Sequence, residues 1–160
     1  ALLSIMYEIL LVGAGQLGSR YLQGLVRSYS GINISVVDAS PESLETAKSR
    51  WLEAGGDEFS SKIRWLQSIP NDLPRIDVVL IVTSSRGRAN LIQRIASSIQ
   101  VRYWVLEKVL TQSISELKEI QAALVDAEGV WVNNARRMMT WHQSLKEAFS
   151  GGGPLDVSYS

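Results

Sequence analysis

Short apolar runs alternate with amphipathic segments along most of the chain. This alternation is typical of strand-helix units stacked around a parallel sheet. The fourth run is almost continuously apolar, as expected of a central strand that is covered on both faces. The pattern predicts six strands, over residues 7–12, 32–37, 62–67, 76–83, 102–108 and 130–133. We therefore expect an α/β fold with a doubly wound, six-stranded parallel sheet.

Helical periodicity and start signals predict a helix after most of these strands. Ser40 and Pro41 supply one helix with an N-cap and a first-turn proline. Ser113 and Glu116 fit a capping box, in which each side chain accepts from the backbone N–H of the other residue. The helices are predicted over residues 17–29, 41–52, 88–99, 113–124 and 140–149. The apolar face of the first is predicted at every fourth position: Leu17, Tyr21, Leu25 and Tyr29.

Composition limits the classes of function. The length of 160 residues leaves room for one domain. Sixteen Lys and Arg balance sixteen Asp and Glu, so the chain lacks the basic charge that attracts nucleic acid or anionic lipid. Because cysteine is absent and histidine occurs once, disulfides and Cys-based zinc sites are excluded, and we expect no metal. The apolar stretches are far shorter than the ~20 residues that cross a bilayer. We expect no nucleic-acid or membrane partner, and a cytoplasmic location by default.

A glycine-rich hexapeptide follows the first predicted strand and opens the first helix. It satisfies G-x-G-x-x-G, in which the first glycine permits a tight turn, the second lets backbone approach a pyrophosphate, and the third lets helix and sheet pack closely. Free N–H groups and the helix dipole favour an anion there. A turn used only for close packing is the alternative. The predicted cofactor-binding residues are Gly13, Ala14, Gly15, Gln16, Leu17 and Gly18.

Asp38 ends the second predicted strand. A carboxylate there accepts hydrogen bonds from both ribose hydroxyls of an adenosine and repels a 2′-phosphate. No arginine follows in residues 39–41, so NAD is favoured over NADP. Two alternatives stay open. Asp38 could only cap the following turn, or the pair of features could belong to an S-adenosylmethionine methyltransferase, although the glycine loop of that class usually lacks the sixth-position glycine.

The fifth predicted strand ends in Leu-Glu-Lys-Val-Leu at residues 106–110. This segment resembles the Glu-Lys-Pro motif of the glucose-fructose oxidoreductase and inositol dehydrogenase family (Gfo/Idh/MocA). Val-Thr-Ser-Ser at 82–85 and Val-Asn-Asn-Ala-Arg-Arg at 132–137 fall in the order and spacing of that family. The resemblance covers residues 7–160. It implies an N-terminal Rossmann domain that binds NAD(P), followed by a second domain that carries much of the substrate site.

The resemblance also implies roles for residues at two strand ends. Lys108 corresponds to the family lysine beside the nicotinamide and substrate, which implies a catalytic role. An ammonium there can hydrogen-bond a substrate hydroxyl and stabilise the oxygen charge that develops during hydride transfer. Glu107 would shape the cofactor pocket, and Thr83 and Ser84 would line the cofactor. From spacing alone, the alternative is a solvated lysine paired with Glu107.

Three positions depart from the family pattern. Val109 stands where the motif has proline, Arg88 where many members have histidine, and Met138 where the family pattern has phenylalanine. Without the proline ring, the backbone after Lys108 is less constrained. The family pattern therefore does not fix the placement of Lys108, whereas cofactor binding does not depend on that proline.

The chain is predicted to divide at Gly-Gly-Gly-Pro, residues 151–154. Residues 1–150 form the dinucleotide-binding domain, and 151–160 form the hinge and first strand of a missing substrate domain. The resemblance implies an NAD-dependent oxidoreductase that transfers hydride between the nicotinamide and a sugar, polyol or related hydroxyl compound, with little turnover by this chain alone. It leaves open a homo-oligomer of the full-length protein. A non-catalytic dinucleotide-sensing module is the alternative, which Val109 and the missing domain would suit.

Overall fold

Six parallel strands form one sheet in the computed structural model, which describes residues 6–27, 31–56 and 62–152. They are β1 (Tyr7–Val12), β2 (Ile32–Val37), β3 (Lys62–Leu66), β4 (Ile76–Ile81), β5 (Val101–Glu107) and β6 (Gly129–Asn133). Their order across the sheet is β3-β2-β1-β4-β5-β6. The chain builds outward from β1 to β3 and then crosses to the other side of β1. A crevice therefore opens at the carboxyl ends of β1 and β4, where ligands bind in folds of this order.

Helices cover both faces of the sheet. They are α1 (Gln16–Leu25), α2 (Pro41–Glu53), α3 (Arg88–Ser98), α4 (Ile114–Ala123) and α5 (Thr140–Ala148), with a 3₁₀ helix at Ala135–Met138. Helices α1 and α2 pack together over one core, and α3 and α4 pack together over the other. The predicted doubly wound α/β sheet is confirmed.

The central strand β1 contributes to both cores. Leu10 and Val12 belong to the core under α3 and α4, whereas Ile9 and Leu11 belong to the core under α1 and α2. This alternation follows from the period of two along a strand that is buried on both faces. Truncating the fully buried Leu10 to alanine would cost about 2–5 kcal/mol.

One row of residues crosses the sheet just before the strands end. In that row Val12 pairs with Val37 on one side and with Ile81 on the other. Ile81 in turn pairs with Leu106. The residues that follow these four are Gly13, Asp38, Val82 and Glu107. The register therefore brings the turns after β1, β2, β4 and β5 to one edge of the sheet, here called the carboxyl edge.

The apolar face predicted for α1 is wrong. Leu17 is 45% exposed, and the buried positions of the helix are Gly18, Ser19 and Leu22. Gly18 has no side chain and that of Ser19 is small, so the helix approaches the sheet closely at these two residues. The buried face of α1 therefore lies at Gly18, Ser19 and Leu22 and not along the predicted line that begins at Leu17. The other described positions of that line are half-buried, and Tyr29 lies outside the described residues.

Helix starts mostly follow their predicted signals. Ser40 caps α2 by accepting from the N–H of Ser43 at 3.2 Å. Ser113 caps α4 by accepting from the N–H of Glu116 at 3.1 Å. The return bond of the predicted capping box is displaced, because the Glu116 carboxylate accepts from the backbone N–H of Gln112. The cap is confirmed, and the predicted closure of the box is wrong by one residue.

Three strands end earlier than predicted. β3 ends at Leu66, β4 at Ile81 and β5 at Glu107. Thr83 and Lys108 therefore belong to turns, where their side chains are free of the alternation of a strand. The predicted hinge and strand over 151–160 lie almost entirely outside the described residues. Within the part of the chain that the structure describes, no helix combines the length and apolar character needed to cross a membrane.

Candidate functional site

The turn between β1 and α1 is shaped by two glycines that tolerate no side chain. Gly13 has a φ of +101°, and a Cβ atom on it would lie 2.8 Å from the carbonyl carbon of Val82. A Cβ on Gly18 would lie 1.9 Å from the carbonyl oxygen of Gly13. Gly15, the N-cap of α1, differs because a Cβ there would meet nothing within 4 Å. The first and third glycines therefore shape the turn, while the second borders open space at the helix N-terminus.

Asp38 follows β2 and reaches across to this turn. One carboxylate oxygen accepts from the N–H of Ala14 at 2.7 Å, and the other accepts from the N–H of Ser40 at 2.8 Å. Asp38 thus caps its own turn, as the alternative interpretation has it, and is also bound to the glycine turn. An ionised carboxylate has further lone pairs, so two bonds leave it able to accept from a ligand.

Two clefts flank Asp38. The first, of about 360 Å³, lies between the ends of β2 and β4 and is lined in part by Asp38, Thr83 and Leu91. The second, of about 330 Å³, lies between the glycine turn and α2 and is lined in part by Gly15 and Arg50. Both volumes fall at the lower end of the range for small-molecule sites.

Arg50 reaches the second cleft from the last turn of α2. Its guanidinium donates to the hydroxyl of Ser19 at 2.6 Å. Residues 39–41, directly after Asp38, contain no arginine, so they do not predict that an arginine from later in α2 borders the site. Helical periodicity could have found it, since Arg50 follows Ala47, a buried position of α2, by three residues.

The turns after β4 and β5 form the other half of the carboxyl edge. The Oγ1 atom of Thr83 is buried and has no hydrogen-bond partner among the described residues. Ser84 and Lys108 are exposed. In the described chain no carboxylate lies within ion-pair distance of the Lys108 ammonium, so the ion pair with Glu107 is not formed, although the side chain is solvated as that alternative has it. The buried Thr83 hydroxyl is a group that a ligand can satisfy, and the exposed ammonium of Lys108 is accessible to one.

Glu107 is buried and bound by side chains from two other elements. Its carboxylate accepts from the phenol of Tyr21 in α1 and from the amide of Asn133 in β6, the latter at 2.6 Å. Burial, reinforced by the Glu107 carboxylate, raises the pKa of Tyr21 well above its ordinary value. The phenol therefore stays protonated and donates. The sequence pattern assigned Tyr21 to an apolar helix face and gave no sign of this contact.

Arg88 begins α3, and its side chain is only 2% exposed. Burial lowers the pKa of Arg88, although a guanidinium keeps its charge in proteins. The peptide bond between Lys108 and Val109 is cis. The guanidinium donates to backbone carbonyls on both turns, those of Thr83, Glu107, Val109 and Leu110.

The oxidoreductase family with an NAD-binding Rossmann fold, Gfo/Idh/MocA, matches residues 7–134 of the chain. The chain belongs to this family. The matched residues include all six strands and the turns that carry Asp38 and Lys108. The fold is accordingly the NAD-binding Rossmann domain of an oxidoreductase family, and the cofactor of that family is NAD.

Solved structures of similar fold include two inositol dehydrogenases. The myo-inositol 2-dehydrogenase from Lactobacillus plantarum has a TM-score of 0.69 at 19% identity. The scyllo-inositol dehydrogenase from Lactobacillus casei, with bound NAD(H) and scyllo-inositol, has a TM-score of 0.70 at 18% identity. The WlbA dehydrogenase from Bordetella pertussis, in complex with NADH and UDP-GlcNAcA, has a TM-score of 0.71 at 17% identity.

Each of these comparisons covers 92% of this chain and 42% of the other chain. The chain therefore spans less than half the length of these relatives. At such identities the likeness shows the fold alone. A search of curated proteins gives no match.

Proposed function

We propose that the chain binds NAD along the carboxyl edge, as the cofactor domain of an oxidoreductase that acts on a sugar, polyol or related hydroxyl compound. The adenosine ribose would lie at Asp38, and the pyrophosphate at the N-terminus of α1 beside Gly15. The nicotinamide would lie at the turns after β4 and β5. The open space at Gly15 and the unpartnered buried hydroxyl of Thr83 support this placement.

Lys108 carries the catalytic part of the proposal. The nicotinamide, when bound, supplies hydride transfer to or from a substrate carbon. The ammonium of Lys108 would donate a hydrogen bond to the oxygen on that carbon and stabilise the negative charge that develops there. Glu107, held by Tyr21 and Asn133, would form a fixed wall beside the ring. The observation that carries the proposal is an unpaired lysine on the edge that also holds the glycine turn and Asp38.

The substrate class rests on the relatives. One inositol dehydrogenase is solved with scyllo-inositol, and WlbA is solved with UDP-GlcNAcA, so this fold occurs with a polyol and with a sugar derivative. The chain spans 42% of those relatives. We therefore propose that it binds the cofactor and that turnover needs groups from a second domain.

Calorimetric titration of the chain with NADH and NADPH tests the binding. NADH should bind more tightly, because the Asp38 carboxylate repels a 2′-phosphate. Failure of both ligands to bind would overturn the proposal.

Turnover is tested by joining the chain to a substrate domain of the family and assaying polyol oxidation. Lys108→Ala should lower kcat by about 100-fold, as loss of a group that stabilises developing oxygen charge does elsewhere. A normal rate in that variant would remove Lys108 from the mechanism. Tight NADH binding with no oxidation of any polyol or sugar would favour the non-catalytic sensing module.

A further inference from the structure

Arg88 is a buried cation without a carboxylate partner. It is 2% exposed, and among the described residues no carboxylate lies within ion-pair distance of it. The carboxylate of Glu107 is near enough to favour the charged form of Arg88, but it accepts its hydrogen bonds from Tyr21 and Asn133 and forms no ion pair with the guanidinium. Burying an unpaired charge is costly unless hydrogen bonds compensate for the lost water. For Arg88 that compensation comes from backbone carbonyls that accept from Nη1 and Nη2, whereas Nε has no hydrogen-bond partner among the described residues.

These carbonyls belong to two turns of the carboxyl edge. Nη2 donates to the carbonyl of Thr83, on the turn after β4. The two hydrogens of Nη1 are shared among three carbonyls at the end of β5 and on the turn after it: those of Glu107, of Val109 at 2.7 Å, and of Leu110 at 3.2 Å. A guanidinium is planar and rigid, so its donors keep a fixed separation. Arg88 therefore fixes the spacing of the two turns and the backbone path on both sides of Lys108.

We infer that Arg88 is a positioning residue for Lys108: it holds the turns after β4 and β5 in the arrangement that presents the lysine to the nicotinamide half of the cofactor. The inference rests on the proposed function and adds to it a residue whose hydrogen bonds run to backbone carbonyls of the chain itself. Arg88 acts through the backbone, so its loss should affect the nicotinamide half of the ligand and spare the adenosine half at Asp38.

Val109 leaves the turn after β5 without the backbone restraint that a proline would give. Proline at this position would restrict φ through its ring, whereas valine leaves the backbone after Lys108 free to rotate. Arg88 supplies the restraint by binding the carbonyl of Val109. The N–H of Val109 makes no hydrogen bond within the described residues, so a proline there would remove none. Val109→Pro should therefore replace part of the backbone restraint that Arg88 supplies.

The test titrates the 160-residue chain with NADH and with ADP-ribose, which lacks the nicotinamide. Arg88→Lys keeps the charge and loses the planar fork. The ratio of NADH affinity to ADP-ribose affinity should fall about tenfold, while ADP-ribose itself changes by less than about twofold. Arg27→Lys, an exposed arginine just after the C-terminal end of α1 and away from the carboxyl edge, is the matched control and should change neither ligand. Adding Val109→Pro to Arg88→Lys should recover the ratio to within about threefold of the wild type.

Equal weakening of both ligands in Arg88→Lys would assign Arg88 to the fold alone and overturn the inference. An unchanged ratio would overturn it as well. If circular dichroism shows that Arg88→Lys does not fold, Arg88→Gln, which keeps a planar donor without the buried charge, decides by the same ratio. A wild-type chain that binds neither ligand would overturn the proposed function itself, and a wild-type chain that binds both without any Arg88 effect would overturn only the inference.

Discussion

The two halves of the carboxyl edge are built in different ways. At β1 and β2, backbone contacts of Gly13 and Gly18 shape the turn, and Asp38 is bound by neighbouring backbone N–H groups. At β4 and β5, side chains from separate elements converge, with Tyr21 on the Glu107 carboxylate and Arg88 on the surrounding carbonyls. The first half is therefore built by a short local motif. The second half depends on contacts between elements that are distant in the sequence.

The largest effect should come from crowding the glycine half. A Cβ on Gly18 would lie 1.9 Å from the carbonyl oxygen of Gly13. Gly18→Ala should therefore lower the free energy of unfolding by about 3 kcal/mol or more, measured by urea denaturation, and abolish NADH binding. Gly24→Ala in the same helix is the control, because a Cβ there meets nothing within 4 Å. It should raise stability by about 0.5–1 kcal/mol. A Gly18→Ala chain as stable as the wild type would contradict the described packing.

The next effect concerns cofactor choice in the same half. Asp38→Asn removes the charge that accepts from the ribose and repels a 2′-phosphate. The ratio of NADH affinity to NADPH affinity should fall about tenfold or more in calorimetric titrations, because charge-assisted hydrogen bonds are about twice as strong as neutral ones. Arg50 in the adjacent cleft would favour the phosphate once the carboxylate charge is gone. Asp126→Asn, an exposed aspartate beyond α4, should leave the ratio unchanged. Unaltered selectivity in Asp38→Asn would remove the residue from ribose recognition.

The glycine half could be predicted because its information is local. The hexapeptide at 13–18 leaves a strand and opens a helix, and Asp38 ends the next strand, all of which apolar runs and start signals indicate. The prediction is wrong at α1, where the occurrence of an apolar residue at every fourth position predicts that Leu17 is buried. The buried face instead includes Gly18 and Ser19, whose small size matters only once the sheet beneath them is known.

The other half could not be predicted from periodicity. The resemblance located Glu107 and Lys108 on the chain but gave no partner for either. Asn133 meets Glu107 because β6 is the neighbour of β5, and Tyr21 meets it because α1 follows β1, which lies on the other side of β4 from β5. Such contacts depend on strand order, which local patterns do not encode. The sequence identifies Arg88 only as a departure from a family histidine, because its burial and its carbonyl partners depend on the fold.

A smaller effect concerns the pH dependence of the free energy of unfolding, to which the Tyr21–Glu107 contact of the β4–β5 half should contribute. Burial and the Glu107 carboxylate raise the pKa of Tyr21 above the ordinary tyrosine value of about 10. The stabilisation is complete below that value and is lost as pH rises toward the folded-state pKa, because the unfolded chain releases its proton first. Tyr21→Phe should cost about 1 kcal/mol at neutral pH and weaken the loss of stability above about pH 10, measured by urea denaturation at several pH values. Tyr7→Phe, at an exposed tyrosine, is the control. An equal alkaline loss in Tyr21→Phe and the wild type would contradict the assigned contact.

The smallest effect tests the central claim most directly, namely that the nicotinamide lies beside Lys108. The ring of NAD⁺ carries a positive charge that NADH lacks, so a nearby ammonium disfavours NAD⁺ relative to NADH. In calorimetric titrations at low ionic strength, where screening is weak, Lys108→Met should strengthen NAD⁺ binding relative to NADH by about threefold. Lys118→Met, an exposed lysine on α4, should leave the NAD⁺ to NADH ratio unchanged. An unchanged ratio in Lys108→Met would contradict the placement of the nicotinamide at the turn after β5.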